Sequence, residues 1–148
     1  MSGPNQITLH DLGTDEYDEL LALWERAGLP VCPEGRDASD RFARQMADCR
    51  QRVVGLRANA KLIAAVVLTH DGRKGWLNRL AVDPAHRRRG LAGRLIAEAE
   101  RWFVEDQGLE IWAALIEGEN QDSQALFAAL DYHRHDVVYV SKRTRPEA

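Results

Sequence analysis

Apolar and polar positions alternate along the chain with two periods, and the changes of period mark out the elements. Ile7 to Leu9 reads as a short first strand. After Thr14, Tyr17, Leu20, Leu21, Leu23 and Trp24 recur at helical spacing, with acidic residues at the start and Gly28 at the stop. VCPEGRDAS is a loop by its Pro and Gly content, and Asp37 or Ser39 is placed to cap a second helix carrying Phe42, Met46 and Cys49 on one side. Val53 to Arg57 and Lys61 to Thr69 read as strands around the Ala58-Asn59-Ala60 turn. The nearly continuous apolar run LIAAVVL suits a central strand covered on both faces. HDGRKG carries the Asp-Gly hairpin signal and leads into a strand from Trp76 to Val82.

Asp83-Pro84 stops that strand, and a long helix follows with Leu91, Leu95, Ala99, Trp102 and Phe103 on one face. Arg94, Glu98, Arg101 and Glu105 form a charged ladder on the other face, and Gly108 ends the helix. LEIWAALI is another buried strand, ending at Glu117-Gly118. Strand, helix and strand of these lengths make a βαβ unit with parallel strands. Asn120 to Leu130 reads as a shorter helix with Leu126, Phe127 and Leu130 inward, and Asp136 to Lys142 as the last strand before a polar tail. The predicted order is β-α-α-β-β-β-α-β-α-β, a mixed α+β sheet in one undivided domain over 1–148.

Composition narrows the function. The 148 residues suit one core. A net charge of −3 and the lack of an aromatic-basic repeat speak against nucleic acid as partner. No apolar run is long enough for a membrane helix, and MSGPNQITLHD lacks the blocks of a signal peptide, so a cytoplasmic location is expected. Cys32 and Cys49 form no CxxC pair, the histidines show no HExxH spacing, and no metal site is expected.

The informative stretch is VDPAHRRRGLAG, Val82 to Gly93. A strand end, a basic turn and a glycine-bearing helix start together make an anion site. The first amides of a helix lack intrahelical partners, the dipole places positive charge there, and small residues let a phosphate approach. The plainer reading of the arginines is a solvated charge run. The strand before them and the glycines after them favour the diphosphate clamp of a nucleotide-bearing cofactor.

These residues resemble the GNAT superfamily of acyl-CoA-dependent N-acyltransferases. Its cofactor motif Arg/Gln-x-x-Gly-x-Gly/Ala is met by Arg87, Gly90 and Ala92, and NQDSQALFAALDY resembles its later N-x-x-A/S-x-x-L-Y-x-x-x-G-F/Y block. The resemblance spans about residues 6–143. It implies a central mixed sheet flanked by helices, with parallel strands 76–82 and 109–116 splaying apart around the pantetheine arm of acetyl-CoA. It also implies a cofactor-binding set of Leu80, Ala81, Val82, Arg87, Arg88, Arg89, Gly90, Leu91, Ala92, Gly93, Arg94, Asn120, Ser123 and Phe127. Asn120 is equally suited to capping its own helix.

The implied reaction is direct transfer of an acetyl group to an amine in a ternary complex, with the Leu80 amide as oxyanion donor. Glu117, at the end of the parallel strand, is the first candidate for the base. Asn78 stands where some relatives carry an acidic one. Glu34, Asp37 and Glu119 are placed to recognise a cationic acceptor. Phe127 occupies the position of the family's usual tyrosine and has no hydroxyl, so Tyr132, Tyr139, Ser123 or water must protonate the leaving sulfur, or it leaves unaided. An acyl-CoA-binding regulatory or sensor module without turnover is the alternative. Exposed apolar residues on the final strand are suited to a homodimer.

Overall fold

Residues 6–148 are described in a computed structural model of the chain; the N-terminal residues 1–5, where the reading of a missing leader begins, lie outside them. Five strands form one sheet in sequence order: β1 Ile7–Leu12, β2 Gln51–Ala58, β3 Lys61–His70, β4 Gly75–Val82 and β5 Trp112–Ala114. The first four pair antiparallel, and β5 joins β4 in parallel. Helices α1 Tyr17–Arg26, α2 Ser39–Met46, α3 Leu91–Arg101 and α4 Gln121–Ala129 complete the architecture.

The apolar run in β3 is explained by cover on both faces. One face packs Val54, Leu56, Ala64, Val66, Leu68 and Leu77 against Leu91, Leu95, Ile96 and Ala99 of α3 and Phe127 of α4. The other packs Val53, Leu62, Ala65, Val67 and Ala81 against Leu20, Leu23 and Trp24 of α1 and Phe42 of α2. Phe103 fills the space over Gly75, where an added Cβ would meet the ring at 2.7 Å. Truncating so deeply buried a ring to alanine costs about 3–5 kcal/mol.

Helix α3 is extended by a wider turn over Trp102–Asp106, closed by the Gln107 amide on the Trp102 carbonyl at 3.0 Å. Gly108 then takes φ +66, and the Leu109 amide returns to the Phe103 carbonyl at 2.8 Å. That left-handed step is what a glycine after a helix allows. The HDGRKG turn forms as expected: the Asp71 carboxylate accepts the amides of Arg73 and Lys74, both at 2.8 Å.

The remaining differences have physical causes. The segment 109–116 is paired only over Trp112–Ala114, with Ile111 and Leu115 exposed. Helix α2 ends at Met46, so Cys49 lies beyond it and is exposed. Its N-cap is Ala38 without a side-chain bond, because the Asp37 carboxylate is turned onto the Cys32 amide at 2.8 Å. Leu130, expected inward, is left 39% exposed where α4 has ended. The expected last strand, Asp136–Lys142, is not in the sheet: among the described residues its backbone finds no ladder partner.

Candidate active site

The site begins where β4 stops. The Asp83 amide donates to the Ile63 carbonyl at 2.7 Å, holding the strand end against β3. The Asp83 carboxylate accepts the Ala85 amide at 2.9 Å and meets Arg26 Nε at 3.0 Å and Lys61 Nζ at 3.6 Å. The Ala85 amide is the main cause, with Arg26 helping, that holds this buried carboxyl below the usual carboxylate range. Arg26 also donates to the Leu62 carbonyl at 3.1 Å, so α1, β3 and the start of the basic turn are tied at one point. Sequence reasoning saw Asp83-Pro84 as a stop and missed the ion pair, since the residues that meet are far apart in the chain.

Beyond the short turn Pro84–His86, Arg88 and Gly90 both take left-handed backbone, at φ 66 and 74. Alternating the hand of successive residues points consecutive amides inward, the geometry of an anion nest. Among the described residues, no acceptor is bonded to the amides of Arg87 through Gly93; the first helical bond is from the Arg94 amide to the Gly90 carbonyl at 3.1 Å. A Cβ built at Gly90 or Gly93 meets nothing within 4 Å. Seven consecutive backbone positions thus have no acceptor bonded to their amides among the described residues, at the positive end of α3. Of the arginines, Arg89 leans on His86 Nδ1 at 3.2 Å. Arg94 reaches the Ile7 carbonyl at 3.0 Å and braces β1. Arg87 and Arg88 make no side-chain bond among the described residues and are exposed.

Near this loop the parallel pairing of β4 with β5 breaks off. Parallel pairing runs Gly75 to Trp112, Trp76 to Ala113 and Leu77 to Ala114, then ceases, although β4 continues to Val82. The separation coincides with a register shift between β3 and β4, where Val67 pairs Asn78 but Ala65 pairs Ala81. The extra residue lies at Arg79–Leu80, and Arg79 has φ 51. A bulge bends and twists its strand, and the pairing of β4 with β5 ends just before it, at Leu77 and Ala114. Leu80 and Val82 are half-buried against the α3-side core, while Ala81 is buried against the α1 side.

At the start of α4, the Asn120 side chain accepts the Ser123 amide at 3.1 Å, so Asn120 caps α4. Its amide nitrogen has no bond among the described residues. Glu117 is exposed, and its backbone carbonyl takes the Asn120 amide at 3.0 Å. Phe127 is buried and meets Tyr132 edge-on at 4.9 Å. The Tyr132 hydroxyl accepts Trp112 Nε1 at 2.8 Å and donates to Glu100 Oε2 at 2.6 Å. Burial, with Glu100 adding to it, pushes this phenol well above its ordinary range. Its proton is engaged between β5 and α3 rather than offered to the cleft. Asn78 is likewise occupied, donating to Thr69 Oγ1 at 3.0 Å.

The residue that sequence reasoning missed is Arg79. Its guanidinium lies over the Trp24 ring at 4.2 Å, donates to the Pro30 carbonyl at 2.6 Å and pairs with Asp37 at 3.6 Å. Burial lowers its pKa, with Asp37 opposing. Asp37, read as an acceptor-recognising acid, is thereby spent on holding the 30–37 loop against β4. No signal in the sequence marks the bulge that turns Arg79 to this side. Among the described residues, no group of three or more His, Cys, Asp or Glu is placed to hold a metal ion.

The fold has counterparts. An aminoglycoside N-acetyltransferase, AAC(6')-Iy, solved with the bisubstrate analogue CoA-S-monomethyl-acetylneamine, superposes with a TM-score of 0.79 over 93% of this chain and 99% of that one, at 20% identity. An acetyltransferase of Photorhabdus laumondii is 25% identical over 132 residues, 87% of this chain and 90% of that protein. The PanD regulatory factor of Escherichia coli is 36% identical over 70 residues, 43% of this chain and 55% of that protein. The profile of the acetyltransferase (GNAT) family matches residues 15–132, and with the nest, the bulge and the splayed strands lying inside that span, the chain belongs to this family.

Proposed function

We propose that the protein moves an acetyl group from acetyl-CoA to a primary amine by direct attack in a ternary complex. The observation that carries this reading is the run of unpartnered amides from Arg87 to Gly93, set at the mouth of a cleft that opens beyond Leu77. Donors, charge and space fit a diphosphate, and the exposed Arg87 and Arg88 add cations beside it. When bound, acetyl-CoA supplies an activated thioester and a thiolate leaving group. The chain's own residues then hold the pantetheine arm along Leu80–Val82, with Asn120 and Ser123 opposite. The Leu80 amide, just past the bulge, donates to the carbonyl oxygen as negative charge develops.

Glu117 receives the proton from the incoming amine, directly or through water. Phe127 has no proton to give and Tyr132 has its own committed to Glu100, so the sulfur departs without a side-chain acid. General-acid help is worth about 10²–10⁴-fold and positioning can contribute more, so turnover survives this loss. Glu34 and Glu119 favour a cationic acceptor. The aminoglycoside acetyltransferase with the same fold makes polyamines of that kind the first acceptors to test. Both cysteines are free thiols and the mechanism uses neither, in keeping with a cytoplasmic site of action.

The second reading is a CoA-binding regulator without turnover. Phe127 favours it, as does the partial likeness to a protein named as a regulatory factor. Release of free CoA from acetyl-CoA in the presence of an amine panel decides between them. Amine-dependent release supports the enzyme; tight CoA binding with no transfer to any amine supports the regulator. Absence of CoA binding overturns both.

A further inference from the structure

Among the described residues, Arg79 alone takes left-handed backbone inside a strand, at φ 51. A side chain raises the energy of that conformation, so it persists only where the surroundings over-determine it. Here they do. Neither Arg79 nor Leu80 has a partner in the β3 register, while Asn78 and Ala81 on either side are paired. The extra residue shifts the alternation of faces, so that Leu77, Leu80 and Val82 all line the α3-side core while the Arg79 side chain goes to the α1 side, over Trp24. There its tip meets groups that are themselves fixed. The Pro30 carbonyl, 2.6 Å from Nη2, follows Leu29, whose amide is bonded to the Trp24 carbonyl at 2.9 Å. Asp37, 3.6 Å from Nη2, is held through its carboxylate by the Cys32 amide at 2.8 Å and through its carbonyl by the Tyr17 hydroxyl at 2.5 Å.

Stability alone is a poor account of this clamp. Arg79 Nε is buried with no acceptor among the described residues, a cost that an apolar side chain would avoid. What the clamp does fix is a peptide plane. The ψ torsion of Arg79 swings the N–H of the residue after it, and that residue is Leu80. Resting on the transferase reading above, in which the Leu80 amide bonds the thioester oxygen, we propose that Arg79 is a positioning residue of the transfer. Its guanidinium, gripped by Trp24, Pro30 and Asp37, holds the 79–80 peptide so that this N–H is aimed before negative charge develops. A preorganised donor stabilises that charge because it does not have to turn at the moment of reaction. Arg79 touches neither cofactor nor acceptor; it acts through the backbone of its neighbour.

Two measurements test this: steady-state kinetics with the amine that turns over fastest, and infrared difference spectra of bound acetyl-CoA carrying carbon-13 at the thioester carbonyl. In the unaltered protein the carbonyl stretch should fall below its value in solution. Arg79→Met keeps the length and the contact with Trp24 but loses the bonds to Pro30 and Asp37. It is expected to lower kcat by about a hundredfold, to leave KM for acetyl-CoA nearly unchanged, and to return the carbonyl stretch toward its solution value. Arg79→Lys keeps the charge, and with it the fold, but not the planar group that stacks on the ring; a loss in kcat of about tenfold is expected. Native kcat in either folded variant overturns the proposal. So does a loss of activity that leaves the carbonyl band where the unaltered protein has it, since Arg79 is then a structural residue only. Failure of the underlying reading is distinct: the unaltered protein itself then binds acetyl-CoA without turnover, or not at all, and both fall together.

Discussion

Replacing Gly93 with valine separates binding from folding. Gly93 is the third residue of α3, its backbone is not left-handed, and an added Cβ meets no atom within 4 Å. The folded chain therefore has room for the side chain. Glycine inside a helix costs about 0.5–1 kcal/mol relative to alanine, and valine recovers only part of this. Unfolding free energy should stay level or rise by about 0.5 kcal/mol, moving Tm by less than about 2 °C. The ligand has no such room. The two methyl groups stand among the amides of 87–93 and keep a diphosphate from closing on them. Hydrogen bonds to a charged group are worth about 1.5–3 kcal/mol each, so losing two weakens binding by about 3–6 kcal/mol, or 10²–10⁴-fold. Calorimetric titration with acetyl-CoA and ligand-free thermal unfolding measure the two quantities separately. In melts at 100 times its Kd, acetyl-CoA should add about 2.7 kcal/mol to the unaltered protein and almost nothing to the variant. An unchanged Kd would refute the assignment of the clamp, and a Tm several degrees lower would refute the claim that the space is free.

Three further substitutions probe the rest of the site. Asp83→Ala removes a cap worth about 1 kcal/mol and breaks an ion pair whose Arg26 side chain is 35% exposed, so its cost lies below that of a fully buried pair, for a total of about 2–3 kcal/mol by denaturant unfolding. Because the folded carboxyl sits below its unfolded value, this stabilisation is complete above about pH 4 and vanishes as pH falls through the folded value. A variant that matches the unaltered protein at pH 7 contradicts the coupling of α1 to the basic turn. Phe127→Tyr returns a hydroxyl to the wall of the cleft and should raise kcat with little change in KM; a fall in kcat argues that no acid is wanted there. Glu117→Gln should lower turnover most at pH values far below the amine's own pKa, about 10.4 for a lysine-like acceptor, with the deficit shrinking as pH rises. An unaltered pH profile removes Glu117 from the mechanism.

How much of the site was readable depended on how far apart its members lie. Arg87, Gly90, Ala92 and Gly93 fall within seven residues of chain, so spacing alone placed them together, and α3 begins where the glycines put it. Asn120 and Ser123 entered through the family resemblance, and the bond they make is the cap that the sequence also allowed. Arg79 was not legible: its role needs Trp24, Pro30 and Asp37 brought to it from another part of the chain. The partners of Tyr132 were not legible either, because Trp112 and Glu100, which hold its hydroxyl, reach it only through tertiary packing.

By itself the sequence determined most of the elements and the glycine-bearing start of α3. Period, caps and glycine placement act over a few residues, where steric limits and hydrogen-bond valence leave few choices. Tertiary structure decided the extra residue in β4, the divergence of β4 from β5, the pairing of Asp83 with Arg26 and the fate of residues 136–142. Each of these depends on whether a backbone or charged group finds a partner across the sheet, and local propensity is blind to that. A strand-forming segment becomes a strand only when an edge meets it, and among the described residues none meets 136–142.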